Sequence, residues 1–117
     1  MNIKDFAKKY LFAPLGIKDV PKANVYDRVS QEEFYKSRDN RGWVADPKDQ
    51  YTTGWGLSLT TDEFARIALM VLNKGIYDGK RILSEEYINE MLTEREESYG
   101  YLWWIYKKNT TIKILRK

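Results

Sequence analysis

Five serines are the first place to look for chemistry in a chain with no histidine and no cysteine, because lysine can activate a hydroxyl lying one helical turn away. That geometry needs Ser-x-x-Lys. Ser30, Ser37, Ser58, Ser84 and Ser98 are followed three residues later by Glu33, Asn40, Thr61, Tyr87 and Tyr101, so none belongs to such a pair. No Lys-Thr-Gly occurs, and the one Tyr-x-Asn, Tyr87-Ile-Asn89, places its tyrosine on the apolar stripe of an expected helix. Without histidine or cysteine there is no disulfide framework, zinc-finger ligand set or imidazole acid/base group.

Other candidates fail on spacing. Gly54-Trp-Gly56-Leu-Ser-Leu59 opens like a dinucleotide fingerprint, but leucine stands where a third glycine must let helix and strand approach. Gly75-Ile-Tyr-Asp-Gly79-Lys80 is one residue too short for a phosphate loop and continues with Arg81, where a magnesium-binding hydroxyl belongs. Asp39, Asp46 and Asp49 do not form a calcium loop, and none of the 17 acidic residues is singled out as a glycosidase pair. No metal and no cofactor are expected. Trp43 and Trp55 lie among loop glycines, where stacking on a ligand and packing in a core are both open; Trp103 and Trp104 favour a core.

The elements that would position these residues are uneven. Ile3, Phe6, Ala7, Tyr10 and Leu11 recur at helical spacing and predict a helix over 3–12, closed by Pro14 and Gly16. From Ile17 to Gln50 periodicity dissolves, predicting a long ordered loop with a short helix near Gln31 to Ser37. Thr60 and Glu63 spell a capping box, and Phe64, Ile67, Ala68, Val71 and Leu72 form the stripe of a helix over 61–73 that ends before Gly75. Asp78-Gly79 predicts a turn and Ile82-Leu83 a short extended piece. Ser84 then caps a last helix whose buried side is Tyr87, Ile88, Met91 and Leu92.

Tyr99-Gly-Tyr-Leu-Trp-Trp-Ile-Tyr106 differs in kind. As a strand it carries Tyr101, Trp103 and Ile105 on one face and Leu102, Trp104 and Tyr106 on the other, so both faces are apolar. Such a strand needs a layer on each side and a strand at each edge, whereas the one clear partner in the sequence is Thr111 to Leu115. The sheet is therefore expected to be incomplete, with unpaired strand edges open to self-association.

A length of 117 residues, 43% apolar and 32% charged, fits one small globular domain. The longest apolar run, Ile67 to Leu72, falls far short of a membrane span, and no basic flank with an apolar core opens the chain. A soluble, cytoplasmic protein with no membrane partner is the expectation. The net charge of +3 divides unequally: residues 107–117 hold five basic groups and no acidic one, leaving 1–106 with a net of −2. That favours a solvated basic tail, or a divergent strand, over specific nucleic-acid binding.

The order of segments carries a resemblance. Asp5-Phe-Ala-Lys-Lys-Tyr-Leu-Phe-Ala-Pro-Leu-Gly-Ile17, Tyr51-Thr-Thr-Gly-Trp-Gly-Leu-Ser-Leu-Thr60, Asp62-Glu-Phe-Ala-Arg66, Asp78-Gly-Lys-Arg-Ile82 and Tyr99-Gly-Tyr-Leu-Trp-Trp104 together resemble the serine β-lactamase-related family, which includes class C β-lactamases, D-alanyl-D-alanine carboxypeptidases and related esterases. The likeness runs from about residue 2 to residue 106. It implies an α+β fold, helices packed on an antiparallel sheet, of which 1–106 is an internal to C-terminal portion. In intact members, which the likeness leaves free to be exported, Ser-x-x-Lys and Tyr-x-Asn precede this stretch and Lys/His-x-Gly follows it. No catalytic residue is carried over, and the chain is expected to be inactive alone. By resemblance Tyr51 and Trp55 line the cleft for a small-molecule or peptide substrate, a β-lactam, D-Ala peptide or ester. The alternatives are that Trp55 packs over the helix bearing Phe64, and that the whole chain is a non-catalytic module binding a glycan or a partner.

Overall fold

A computed structural model describes residues 1–38 and 40–105. The chain forms two compact units, Met1–Leu69 and the part from Met70 onward, with the division inside one helix.

The first unit opens with α1, Ile3–Ala7, capped reciprocally by Asn2 and Asp5. The coil continues through Lys8–Phe12 as a π-helical turn, with the Ala13 amide reaching back five residues to the Lys8 carbonyl at 2.9 Å. Pro14 explains the widening: its ring would press on the carbonyl four residues back, and it has no N–H to offer. Gly16 then takes φ +70, while its own amide bonds Ala13 O and the Ile17 amide bonds Phe12 O, a Schellman close. The predicted span of 3–12 is helical throughout, but Ile3, Phe6 and Tyr10 face outward. The contribution to the core comes from Phe12, Leu15, Ile17 and Val20 beyond them.

The expected loop of 17–50 is largely ordered structure. β1, Lys22–Asn24, leads into α2, Arg28–Lys36, and then to β2, Gly42–Ala45. α2 starts earlier than the predicted helix because Asp27 caps it, its carboxylate accepting the Ser30 amide at 2.8 Å. β1 and β2 pair in parallel, with Ala23 opposite Val44, and β3, Leu57–Ser58, pairs antiparallel with β2. The sheet, in the order β1-β2-β3, is therefore mixed, which corrects the expected antiparallel sheet. A helical crossover between β1 and β2 is what makes that pair parallel. All four β2 residues are buried, so this strand lacks the alternation that would have announced it.

α3, Thr61–Leu72, matches its predicted start and cap, but the buried stripe is rotated. Glu63, Met70 and Val71 are buried and Ile67 half-buried, whereas Phe64, Ala68 and Leu72 of the predicted stripe are exposed. In the second unit α3 ends with Lys74 at φ +57 and Gly75 at φ +95. A hairpin follows, β4, Ile76–Tyr77, with β5, Lys80–Arg81, through Asp78 and Gly79 at φ +49 and +75, the signs a type I′ turn requires. The extended pairing thus falls just before Ile82-Leu83, whose amides both bond Gly75 O. α4, Glu85–Met91, is capped by Ser84 as expected; Ile88 and Met91 are buried, but Tyr87 and Leu92 are exposed.

The expected strand at Tyr99 is not one. Between 99 and 105 there are single bridges and a tight turn, with Leu102 and Trp104 open to solvent. Both faces of that segment are apolar, and without layers to receive them a lone strand is not stable. Thr111 to Leu115 and the rest of 107–117 lie outside the described residues. Together the two units make a small α+β protein in which helices accompany a partly open sheet, and among the described residues no helix is long and apolar enough to cross a membrane.

Candidate functional site

The antiparallel junction of β2 with β3 builds an open groove on the first unit. Val44 of β2 donates its amide to Gly56 O at 2.9 Å and accepts the Thr52 amide at 3.0 Å, pinning both sides of the loop that leads to β3. Gly56 has φ +85, and a Cβ there would come within 2.8 Å of Thr52 Oγ1 and 2.9 Å of Val44 Cβ, so the tight return requires glycine. The Thr52 hydroxyl spans the loop to Trp55 O. With its backbone tied down, the Trp55 indole projects outward, 55% exposed. It forms one wall of a groove of about 350 Å³ that also takes in Tyr26, Val44, Pro47, Gln50 and Asp46. Aromatic rings beside planar amide and carboxylate groups can pack on a ligand's apolar face and read its polar edge.

Tyr51 and Trp55, paired by the sequence, part company here. Tyr51 lies edge-on to Trp43 with ring centroids 5.5 Å apart, and Lys4 Nζ sits over the Tyr51 ring, 5.9 Å from its centroid. Trp43 is buried, its indole N–H donated to Thr52 O at 2.7 Å, which settles the two options left open for it in favour of the core. Tyr26 and Gln50 were missed as companions of Trp55. Tyr26 lies 29 positions earlier in the chain, at the end of a β1 that carries no sequence signal.

A second cleft, of about 430 Å³, opens at the start of α3 and is lined by Gly16, Lys18, Arg41, Thr60, Asp62, Glu63 and Arg66. The capping box forms as expected, with the Thr60 amide donating to Glu63 Oε1 at 3.0 Å and the Glu63 amide to Thr60 Oγ1 at 3.1 Å. Glu63 also receives a fork from Arg41, Nε to Oε1 at 2.6 Å and Nη2 to Oε2 at 2.7 Å. The same guanidinium donates to Asp19 O at 2.6 Å and to Lys18 O. Arg41 and the Thr60 amide together hold the buried Glu63 carboxyl down to about 2, against the opposing push of burial. Arg66, braced by Asp62 at 3.1 Å, donates to the Leu15 carbonyl at 3.1 Å. These charges are consumed in fastening the helix start to the Leu15–Asp19 turn and to Arg41 ahead of β2. The cleft is thus a structural joint.

Two of the serines work at helix starts: Ser84 caps α4, and the Ser30 hydroxyl accepts the Asp27 amide at 3.1 Å to complete the capping box of α2, while Ser58 sits in β3. Among the described residues no three His, Cys, Asp or Glu side chains converge to hold a metal ion. No family model, curated protein or solved structure matches the chain.

Proposed function

We propose that this chain is a scaffold portion of a β-lactamase-like serine hydrolase that supplies a ligand wall and no catalytic group. The observation that carries this reading is Trp55, held outward over a groove by Gly56 and Thr52 within the segment Tyr51 to Thr60 that contributes to the family resemblance. By resemblance the intact enzyme performs acyl transfer: a serine attacks a β-lactam, D-Ala peptide or ester carbonyl, lysine and tyrosine move protons, and backbone amides hold the oxyanion. In this chain no serine has the lysine spacing that this step needs. Incubation with penicillin or a chromogenic cephalosporin, followed by intact-mass measurement, is expected to leave the mass unchanged. A stoichiometric acyl adduct would overturn the proposal.

A second reading is favoured by Tyr26 and Trp55 lying on the same groove as Gln50 and Asp46. It is a non-catalytic module that stacks a sugar ring on the aromatic side chains and hydrogen-bonds its hydroxyls. Titration with peptidoglycan fragments, followed by tryptophan fluorescence, separates the two. Saturable binding lost in both Trp55→Ala and Tyr26→Ala, with no adduct formed by any lactam, selects the module.

A further inference from the structure

The groove beside Trp55 lies beyond the carboxyl ends of the parallel pair. Tyr26 follows β1, Asp46 and Pro47 follow β2, and the return loop to β3 adds Trp55. Open sheets hold ligands at such ends, where side chains from separate connections converge. Tyr26 is 62% and Trp55 55% exposed, and among the described residues neither stacks on another ring. Buried Val44 and Ala45 lie beneath them. Asp46 is the one charged residue of the lining. Its Oδ1 accepts the Lys48 amide at 2.8 Å and the Gln50 amide at 3.0 Å, which fixes the carboxylate, and among the described residues no lysine or arginine pairs with it. The Lys22 ammonium near Tyr26 is neutralised by Asp49 Oδ1 at 2.7 Å, so the charge left facing the groove is negative.

We propose that this groove takes a quaternary ammonium group carried on a small molecule, an inference that rests on Trp55 acting as a ligand wall. Such a nitrogen has no N–H to donate and spreads its charge over its methyl groups. It therefore needs aromatic surface and a nearby negative charge in place of hydrogen bonds. Tyr26 and Trp55 offer the ring surface, and Asp46 offers the charge. A neutral sugar ring would use the aromatic walls and leave the carboxylate without a counter-charge. Among the described residues no basic side chain lines the groove, so nothing there answers the phosphate of a lipid head group. Charge complementarity therefore selects the cation on a molecule that carries no phosphate.

NMR titration of the full chain, following the methyl singlet of choline and that of its neutral carbon isostere dimethylbutanol, tests this. Saturable binding of choline is expected, with the isostere held about tenfold more weakly or worse. That comparison needs no variant and so no assumption about folding. Asp46→Asn keeps an oxygen for the Lys48 and Gln50 amides, and should weaken choline about fivefold while leaving the isostere unchanged. Trp55→Leu should weaken choline by a similar factor. Equal binding of the two probes, choline phosphate held as tightly as choline, or Asp46→Asn binding choline undiminished overturns the proposal. Choline ignored while peptidoglycan fragments or penicillin still bind at Trp55 also overturns it, and leaves the ligand wall standing; if no probe binds there, the wall fails with it.

Discussion

At the scale of single residues, the joint between Glu63 and Arg41 is the strongest electrostatic feature of the first unit. Its carboxyl is lowered from 4.5 to about 2 on folding. A depressed carboxylate contributes stability that is fully present above its unfolded value and is lost as pH falls through the folded one. The loss should therefore begin near pH 4.5, be nearly complete near 2 and amount to about 3 kcal/mol. Asp27, lowered by the Ser30 bonds at the α2 cap, acts in the same direction. Denaturant unfolding of Glu63→Gln against the parent should show a variant less stable by about 3 kcal/mol at pH 7, with a visibly flatter acid limb. The glycines make a second contrast. A Cβ at Gly75 would lie 2.0 Å from Leu83 O, whereas one at Gly79 would meet nothing within 4 Å, and both have positive φ. Gly79→Ala should cost about 1 kcal/mol from backbone conformation alone, and Gly75→Ala about 3 kcal/mol or more because the hairpin must also give way.

At the scale of elements, α3 shows how far periodicity reaches. Its start, cap and end were legible in Thr60, Glu63 and Gly75, since capping is local chemistry between residues three or four apart. Which side is buried was not. The apolar stripe read from the sequence ran through Phe64, Ile67, Ala68, Val71 and Leu72, yet the buried side includes Glu63, which the Thr60 amide and the Arg41 guanidinium, 22 residues away, make tolerable. Met70→Ala should therefore cost about 2 to 4 kcal/mol, while Leu72→Lys, at a position 75% exposed, should stay within about 0.5 kcal/mol in thermal or chemical melts. β1 and β2 were illegible for a related reason. Lys-Ala-Asn and Gly-Trp-Val-Ala are too short to show a period, and their pairing is fixed by a crossover rather than by a turn motif. The Asp78-Gly79 turn, whose φ signs are written in its two residues, was read correctly, but the strand that pairs through it is Lys80–Arg81 and not Ile82-Leu83. Of the candidate site, Trp55 was named through the family resemblance, its glycine neighbours having left stacking and core packing both open, as they did for Trp43. Tyr26 was not, because tertiary structure alone brings it to the same groove.

At the scale of the whole molecule, two kinds of tryptophan environment coexist. Trp43 is buried between its edge-on neighbours Phe12 and Tyr51, with its N–H bonded, whereas Trp104 is 67% exposed in a segment built of strand-forming residues. The central claim is that the turn from Tyr99 to Ile105 is fastened to α4 through Tyr101, its amide on Met91 O and its hydroxyl on Glu90, while Trp104 is left open to solvent. Fluorine NMR of the chain carrying fluorotryptophan, at a dilution where it is monomeric, reads this directly, with resonances assigned by single Trp→Phe variants. The Trp104 signal should show a large solvent isotope shift between light and heavy water and the Trp43 signal almost none; a Trp104 signal as insensitive as that of Trp43 would contradict the account.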